Sequence, residues 1–168
     1  MIDSQSNIIL IIDDSQVIRQ QIINFIQQKI NLNKQPKLVI FEIKTGQKAI
    51  DFFQNYAAII KLIFLDLFLP TTGIEVFKYL QNHHNLAQIT LVIMTHIRDL
   101  YYHYQLGEEQ DLLTQIITVY QKENPSLAYI KNADTLDINL PKIGLLTKPF
   151  NDEKINQAIQ KAIKIKKI

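Results

Sequence analysis

The sequence contains no cysteine and only four glycines among its 168 residues. Without cysteine, a disulfide framework, a thiol nucleophile and a cysteine-ligated metal site are all excluded, which fits a reducing compartment. The few glycines form no Gly-rich loop that would cradle a phosphate. An excess of one charge is also missing, because the formal net charge is +2. No overall basic field therefore indicates a nucleic-acid partner.

Long hydrophobic runs are absent too. The apolar runs are strand-sized, so none predicts a membrane-spanning helix. The first run follows Asp3 rather than a basic segment, which argues against a signal peptide. We therefore expect a cytoplasmic protein without membrane contacts. A hydrophobic content of 47% over 168 residues suits one domain spanning residues 1–168, and no output domain is expected in this chain.

Five short apolar runs alternate with segments whose apolar residues have helical spacing. The runs are Asn7 to Ile12, Leu38 to Phe41, Ile59 to Leu65, Ile89 to Met94 and Ile143 to Leu146. The first helical segment would bury Val17, Ile18 and Ile22, and the last would be capped by Asn151. This alternation predicts an α/β fold with a parallel sheet.

The segment 96–142 is too long to be a simple connection between the fourth and fifth strands. Two median loops and one mean helix need only about twenty residues. Glu108 to Glu123 has helical periodicity and predicts an additional helix. His96 to Leu106 fits either a short helix or an irregular lid, and Asn124 to Lys142 has no assigned structure. We hypothesise that the enlarged segment shapes partner or dimer contacts.

Notable polar residues stand directly after four of the apolar runs. Asp13 and Asp14 follow the first run, Asp66 the third, Thr95 the fourth and Lys148 the fifth. Because the carboxyl ends of parallel strands meet at one edge of a sheet, we expect these side chains to form one site. Carboxylates suit Mg²⁺ or nucleophilic attack on phosphorus, while a lysine and a hydroxyl suit the developing charge. The set predicts metal-assisted phosphoryl transfer.

Four motifs in this order resemble the receiver domain of bacterial-type response regulators. They are IIDDS at Ile11 to Ser15, FLDLFLP at Phe64 to Pro70, VIMTH at Val92 to His96 and LLTKPF at Leu145 to Phe150. The resemblance implies a flavodoxin-like, doubly wound five-stranded parallel sheet of order 2-1-3-4-5 with helices on both faces. It also implies a cis peptide bond between Lys148 and Pro149.

The resemblance further implies a role for each residue of the site. Asp66 would be the phosphoacceptor, Thr95 the switch hydroxyl and Lys148 the lysine that pairs with the phosphate. The ligands of Mg²⁺ would be Asp13, Asp14, Asp66 and the backbone carbonyl of Phe68. Phe68 and Ile97 occupy positions that tune attack by water in this family, and both are apolar, so we predict a long-lived phosphoryl group.

The sequence also departs from the family pattern. The PTTG stretch that ends at Gly73 is one residue shorter than usual between proline and glycine. Leu145 stands where the family has a switch aromatic residue, and His96 where it has a small residue. We consider the tyrosines of the enlarged segment, which are Tyr101, Tyr102 and Tyr104, as substitutes for that aromatic residue.

These features together predict a stand-alone receiver of a two-component system or phosphorelay. It would take its phosphoryl group from a histidine kinase or histidine phosphotransfer protein and signal to a downstream protein, with homodimerisation possible, rather than turn over an external substrate. One alternative is a degenerate receiver that acts as a phosphorylation-independent interaction module. A haloacid-dehalogenase-like phosphatase needs a second acid where Phe68 stands, and a flavodoxin needs a phosphate loop after the first strand. Outside the site, we interpret Glu42 as a solvated strand-end acid and His83 with His84 as a polar helix end.

Overall fold

A computed structural model describes residues 7–29, 38–70, 73–83, 89–107, 109–123 and 143–164. The strands are β1 (Asn7–Ile12), β2 (Leu38–Ile43), β3 (Ile60–Asp66), β4 (Thr90–His96) and β5 (Ile143–Lys148). The helices are α1 (Gln16–Lys29), α2 (Gly46–Tyr56), α3 (Gly73–His83), α4 (Ile97–Gln105), α5 (Gln110–Glu123) and α6 (Asp152–Lys164), with a 3-10 turn at Ala57–Ile59. The predicted alternation of strands and helices is confirmed.

The five strands form one parallel sheet in the order β2-β1-β3-β4-β5, as the resemblance implied. Asp66 lies opposite Met94, and Thr95 lies opposite Thr147. Since all strands run the same way, their carboxyl ends share one edge of the sheet. Ligand sites of open parallel sheets lie at this edge.

Alternate residues of each strand pack into one of two cores, one on each side of the sheet. Leu10, Ile63 and Ile93 face the core built with α2, α3, α4 and α5. Ile11 and Phe64 face the core built with α1 and α6. The near-continuous apolar runs of β1, β3 and β4 therefore reflect burial on both faces, which confirms a doubly wound arrangement.

Helix α1 buries Arg19, Ile22, Ile23, Phe25 and Ile26. The prediction that Val17 lies on its inner face is wrong, because Val17 is 75% exposed. The buried stripe is instead the set i, i+3, i+4 and i+7 that begins at Arg19, which is the spacing of one helix face. A charged residue therefore occupies the first position of an otherwise apolar stripe.

The enlarged connection between β4 and β5 contains two helices. α4 begins at Ile97, directly after β4, so of the two alternatives for His96 to Leu106 the helix is the one observed. The predicted helix of Glu108 to Glu123 is confirmed as α5, which buries Leu113, Ile116 and Ile117 in the core. The remainder of the segment, residues 124–142, lies outside the described residues.

Several local predictions are confirmed at helix ends. Asn151 caps α6, because its Oδ1 accepts a hydrogen bond of 3.0 Å from the Lys154 backbone N–H. Gly46 and Gly73 are the first residues of α2 and α3, and the peptide bond between Lys148 and Pro149 is cis. His83 ends α3, where its ring stacks on Tyr79. Within the described part of the chain, the helices are too short or too polar to cross a bilayer.

Candidate functional site

Lys148 joins two of the acids that the sequence singled out. Its Nζ lies 2.6 Å from Oδ2 of Asp66 and 2.7 Å from Oδ2 of Asp13. β5 ends at Lys148, β3 ends at Asp66, and Asp13 directly follows β1, so the shared edge of the sheet brings the three together. All three residues are buried, and this burial strengthens their mutual electrostatic interaction.

The burial of these groups affects their ionisation. Burial raises the pKa of the Asp13 carboxyl group, although the Lys148 ammonium opposes this effect. For Lys148, burial acts to lower the pKa, but the carboxylates of Asp66 and Asp13 outweigh it and leave the pKa raised. Lys148 therefore carries its positive charge at neutral pH and compensates the two acids.

Asp13, Asp14 and Asp66 form a group that fits a hard divalent cation. A carboxylate oxygen from each lies within 4.8 Å of those of the others. Asp14 is exposed at the mouth of the site, whereas Oδ2 of Asp13 is buried and accepts no hydrogen bond from the described residues. Its contact with Lys148 is an ion pair without hydrogen-bond geometry. An all-oxygen donor set with spare acceptor capacity is what Mg²⁺ prefers.

The backbone after Asp66 holds the acceptor carboxylate. The Phe68 N–H donates a 3.1 Å hydrogen bond to Oδ1 of Asp66, so the two oxygens of this carboxylate have different partners. On the other side of β1, the Ser15 N–H donates a 2.8 Å bond to Oδ1 of Asp13. Such hydrogen bonds fix the orientation of both carboxylates.

Gly73 allows the start of α3 to pack tightly against the end of β3. A Cβ atom at this position would clash with the backbone carbonyl oxygen of Asp66 and lie 2.7 Å from that of Leu67. The close approach therefore requires glycine. Residues 71 and 72, which the shortened PTTG stretch contains, lie outside the described residues.

Thr95 is fully buried near the end of β4, not after the strand as the apolar run suggested. Its hydroxyl donates a 3.2 Å hydrogen bond to the carbonyl oxygen of His96. Leu145, in the position of the family aromatic residue, is half-buried and packs against the core. Of the tyrosines considered as substitutes, Tyr101 and Tyr104 pack against that same core, whereas Tyr102 is exposed.

Arg19 is a residue of the site that the sequence interpretation missed. It is buried, and its Nη1 donates hydrogen bonds of 2.8 Å to the Asp13 carbonyl and 3.0 Å to the Asp14 carbonyl. Its Nε pairs with Oε2 of Glu42 at 3.0 Å. Glu42 is exposed as predicted, but it is an ion-pair partner and not merely solvated. The one sequence signal was the position of Arg19 within the buried stripe of α1.

Comparison with known proteins agrees with this geometry. A family model described as response regulator receiver domain matches residues 9–110, which is more than half of the chain. The chain therefore belongs to the response regulator receiver domain family. No curated protein matches the sequence.

Solved structures show the same fold at low sequence identity. The chemotaxis response regulator CheY4 of Vibrio cholerae is 18% identical with a TM-score of 0.55, over 94% of this chain and 98% of that one. A response regulator receiver domain protein from Clostridium thermocellum is 17% identical with a TM-score of 0.58, over 96% and 97%. A two-component system response regulator/GGDEF domain protein is 15% identical with a TM-score of 0.59, over 96% of this chain but 51% of that one.

Proposed function

We propose that this chain is a phosphorylatable receiver of a two-component system or phosphorelay, in which Asp66 accepts the phosphoryl group. The observation that carries the proposal is the contact of Lys148 Nζ with both Asp66 and Asp13. It places a fixed positive charge beside a buried carboxylate at the ligand-binding edge of the sheet. Family membership favours this function over the phosphatase and flavodoxin alternatives.

The transfer itself is a displacement at phosphorus. A carboxylate oxygen of Asp66 attacks the phosphorus atom of the donor, and a new P–O bond forms. The bond from phosphorus to the donor breaks, and its electron pair leaves with an imidazole for a phosphohistidine donor or with acetate for acetyl phosphate. Lys148 would pair with the phosphoryl oxygens, whose charge it partly neutralises.

The acids around Asp66 fit a catalytic metal ion. Asp13, Asp14, Asp66 and the Phe68 backbone carbonyl would hold Mg²⁺, as in the family. When bound, Mg²⁺ supplies positive charge beside the phosphoryl oxygens. Asp13 would contribute its buried oxygen that lacks a hydrogen bond, while the exposed position of Asp14 leaves room for water or phosphate oxygens. Thr95 would donate its hydroxyl to the phosphoryl group after breaking its bond to the His96 carbonyl.

The proposed partners follow from this chemistry. The donor would be a histidine kinase or a histidine phosphotransfer protein, and a downstream protein would bind the phosphorylated form. We also propose that residues 1–168 act as one receiver domain, with residues 96–142 as an enlarged connection that contributes to partner or dimer contacts. Deletion of residues 124–142 tests the last point, because unchanged partner binding by a folded deletion variant would contradict it.

Intact mass measured after incubation with acetyl phosphate and Mg²⁺ tests the proposal. We expect one added phosphoryl group, which is lost in Asp66→Asn and when EDTA removes the metal. Asp51→Asn, which changes an exposed acid of α2, is the matched control and should retain the adduct. No adduct in a folded parent protein would contradict the proposal.

A phosphorylation-independent interaction module is the second candidate. It is favoured by the Thr95 hydroxyl, which is bonded within its own chain segment, and by the aliphatic Leu145 in the position of the switch residue. Titration with beryllium fluoride and Mg²⁺, a mimic of the phosphoryl group, separates the two candidates. Binding supports the phosphorylatable receiver, and its absence supports the module.

A further inference from the structure

A continuous series of contacts leads from the acceptor carboxylate to the surface of α4. The Phe68 N–H is bonded to Asp66 Oδ1. The Phe68 ring stacks on the His103 ring, with centroids 4.4 Å apart and planes at 8°. The His103 ring in turn meets Tyr102 edge-on, with centroids 5.6 Å apart and planes at 83°. Both ring arrangements are favourable aromatic geometries.

The stack joins two parts of the molecule that are distant in sequence. Phe68 lies two residues after the end of β3, whereas His103 lies near the end of α4. Phe68 is held at its backbone by the acceptor and at its side chain by α4. Tyr102 is 58% exposed, so the series begins at a buried group and ends where a partner protein has access.

We propose that His103 is a positioning residue that couples the phosphorylation state of Asp66 to α4 through its stack on Phe68. This inference rests on the proposed function. Tyr102 is then the exposed reporter of that state, and the surface of α4 around it changes when Asp66 is modified. The coupling replaces a threonine–aromatic switch, for which Leu145 lacks the ring.

The physical reason lies in what phosphorylation does to Asp66. When one carboxylate oxygen forms the bond to phosphorus, the carboxyl group loses its negative charge and three phosphoryl oxygens are added. The Phe68 N–H, which now donates to a charged oxygen, meets a different acceptor. A shift of the Phe68 backbone displaces its ring, and the ring of His103 must follow or lose the stack. Packed side chains with discrete arrangements transmit such a change.

The chain contains no tryptophan, so a single introduced tryptophan reports on one position. We would prepare Tyr102→Trp and, as the matched control, Tyr56→Trp on α2, outside the series of contacts. Emission spectra would be recorded before and after treatment with acetyl phosphate and Mg²⁺, with intact mass measured on the same samples. We expect a shift in emission for Tyr102→Trp and none for Tyr56→Trp.

Two changes at position 103 in the Tyr102→Trp background test the stack. His103→Leu keeps side-chain volume but removes the ring, and the emission shift should be lost while the phosphoryl adduct still forms. His103→Phe keeps an aromatic ring and should restore the shift. Thermal unfolding of each variant verifies that it is folded.

The outcomes separate this inference from the proposed function. An adduct without an emission change in Tyr102→Trp overturns the coupling alone. A shift that survives His103→Leu, or one that His103→Phe fails to restore, overturns the role of the ring stack. Absence of any adduct in the folded protein overturns the proposed function and, with it, the coupling that depends on it.

Discussion

Replacement of Lys148 by methionine removes the positive charge at the centre of the site. Its Nζ lies 2.6 Å from Asp66 and 2.7 Å from Asp13, and the exposed fractions of the three side chains are only 5%, 8% and 0% in that order. Methionine retains an unbranched apolar side chain, so packing changes little. The substitution therefore leaves two buried carboxylates without their compensating charge.

The expected effect on stability is large. Two carboxylate charges at the 4.8 Å limit found here repel each other by about 3 kcal/mol at an effective dielectric constant of about 20. Removal of one partner from a buried ion pair lowers stability by about 3–5 kcal/mol. We expect a loss of this size in the free energy of unfolding without divalent metal. For a domain of this length it lowers Tm by roughly 6–20 °C.

Thermal unfolding in EDTA measures the effect. Lys154→Met is the matched control, since Lys154 is an exposed residue of α6, and its Tm should stay close to that of the parent. Added Mg²⁺ should raise the Tm of Lys148→Met more than that of the parent, because the cation stabilises the folded state and replaces the lost charge. A second change, Asp13→Asn, should recover part of the loss.

An unchanged Tm of Lys148→Met in EDTA would refute this reasoning. It would mean that the two carboxylates need no compensation from Lys148. A loss of Tm that Asp13→Asn does not reduce would instead show that methionine disturbs packing. The double variant thus distinguishes charge from shape.

Three other outcomes are expected. Because burial raises the pKa of Asp13, stability is lost as pH rises through that pKa. Asp13→Asn should therefore have a higher Tm than the parent at neutral pH in EDTA, but not in acid, where the carboxyl group is protonated in both states; a pH series of unfolding curves that lacks this crossover contradicts the assignment. Arg19→Met, which leaves two backbone carbonyls without their donor, should lower the free energy of urea unfolding by about 2–4 kcal/mol, whereas a comparable loss for Glu42→Gln would place the effect in the exposed ion pair. Since Phe68 and Ile97 are apolar, the phosphoryl group on Asp66 should be long-lived; rapid loss in timed intact-mass spectra would dismiss that prediction.

The order of apolar runs in the sequence was sufficient to predict the fold. Strands buried on both faces carry continuous apolar stretches, and helices between them require parallel pairing. Once the strands are parallel, their carboxyl ends share one edge. For this reason Asp13, Asp66 and Lys148 could be assigned to one site although 135 positions separate the first from the last in the numbering.

Tertiary structure alone decided which groups support that site. Arg19 reaches the carbonyls of Asp13 and Asp14 because α1 turns its buried stripe toward the end of β1. Phe68 meets His103 because α4 begins at the end of β4 without a loop. Neither contact has a local sequence pattern, since each depends on the distance and angle between packed elements. The sequence periodicity determined the edge at which the site forms, and the packing of the helices determined what holds it and what it contacts.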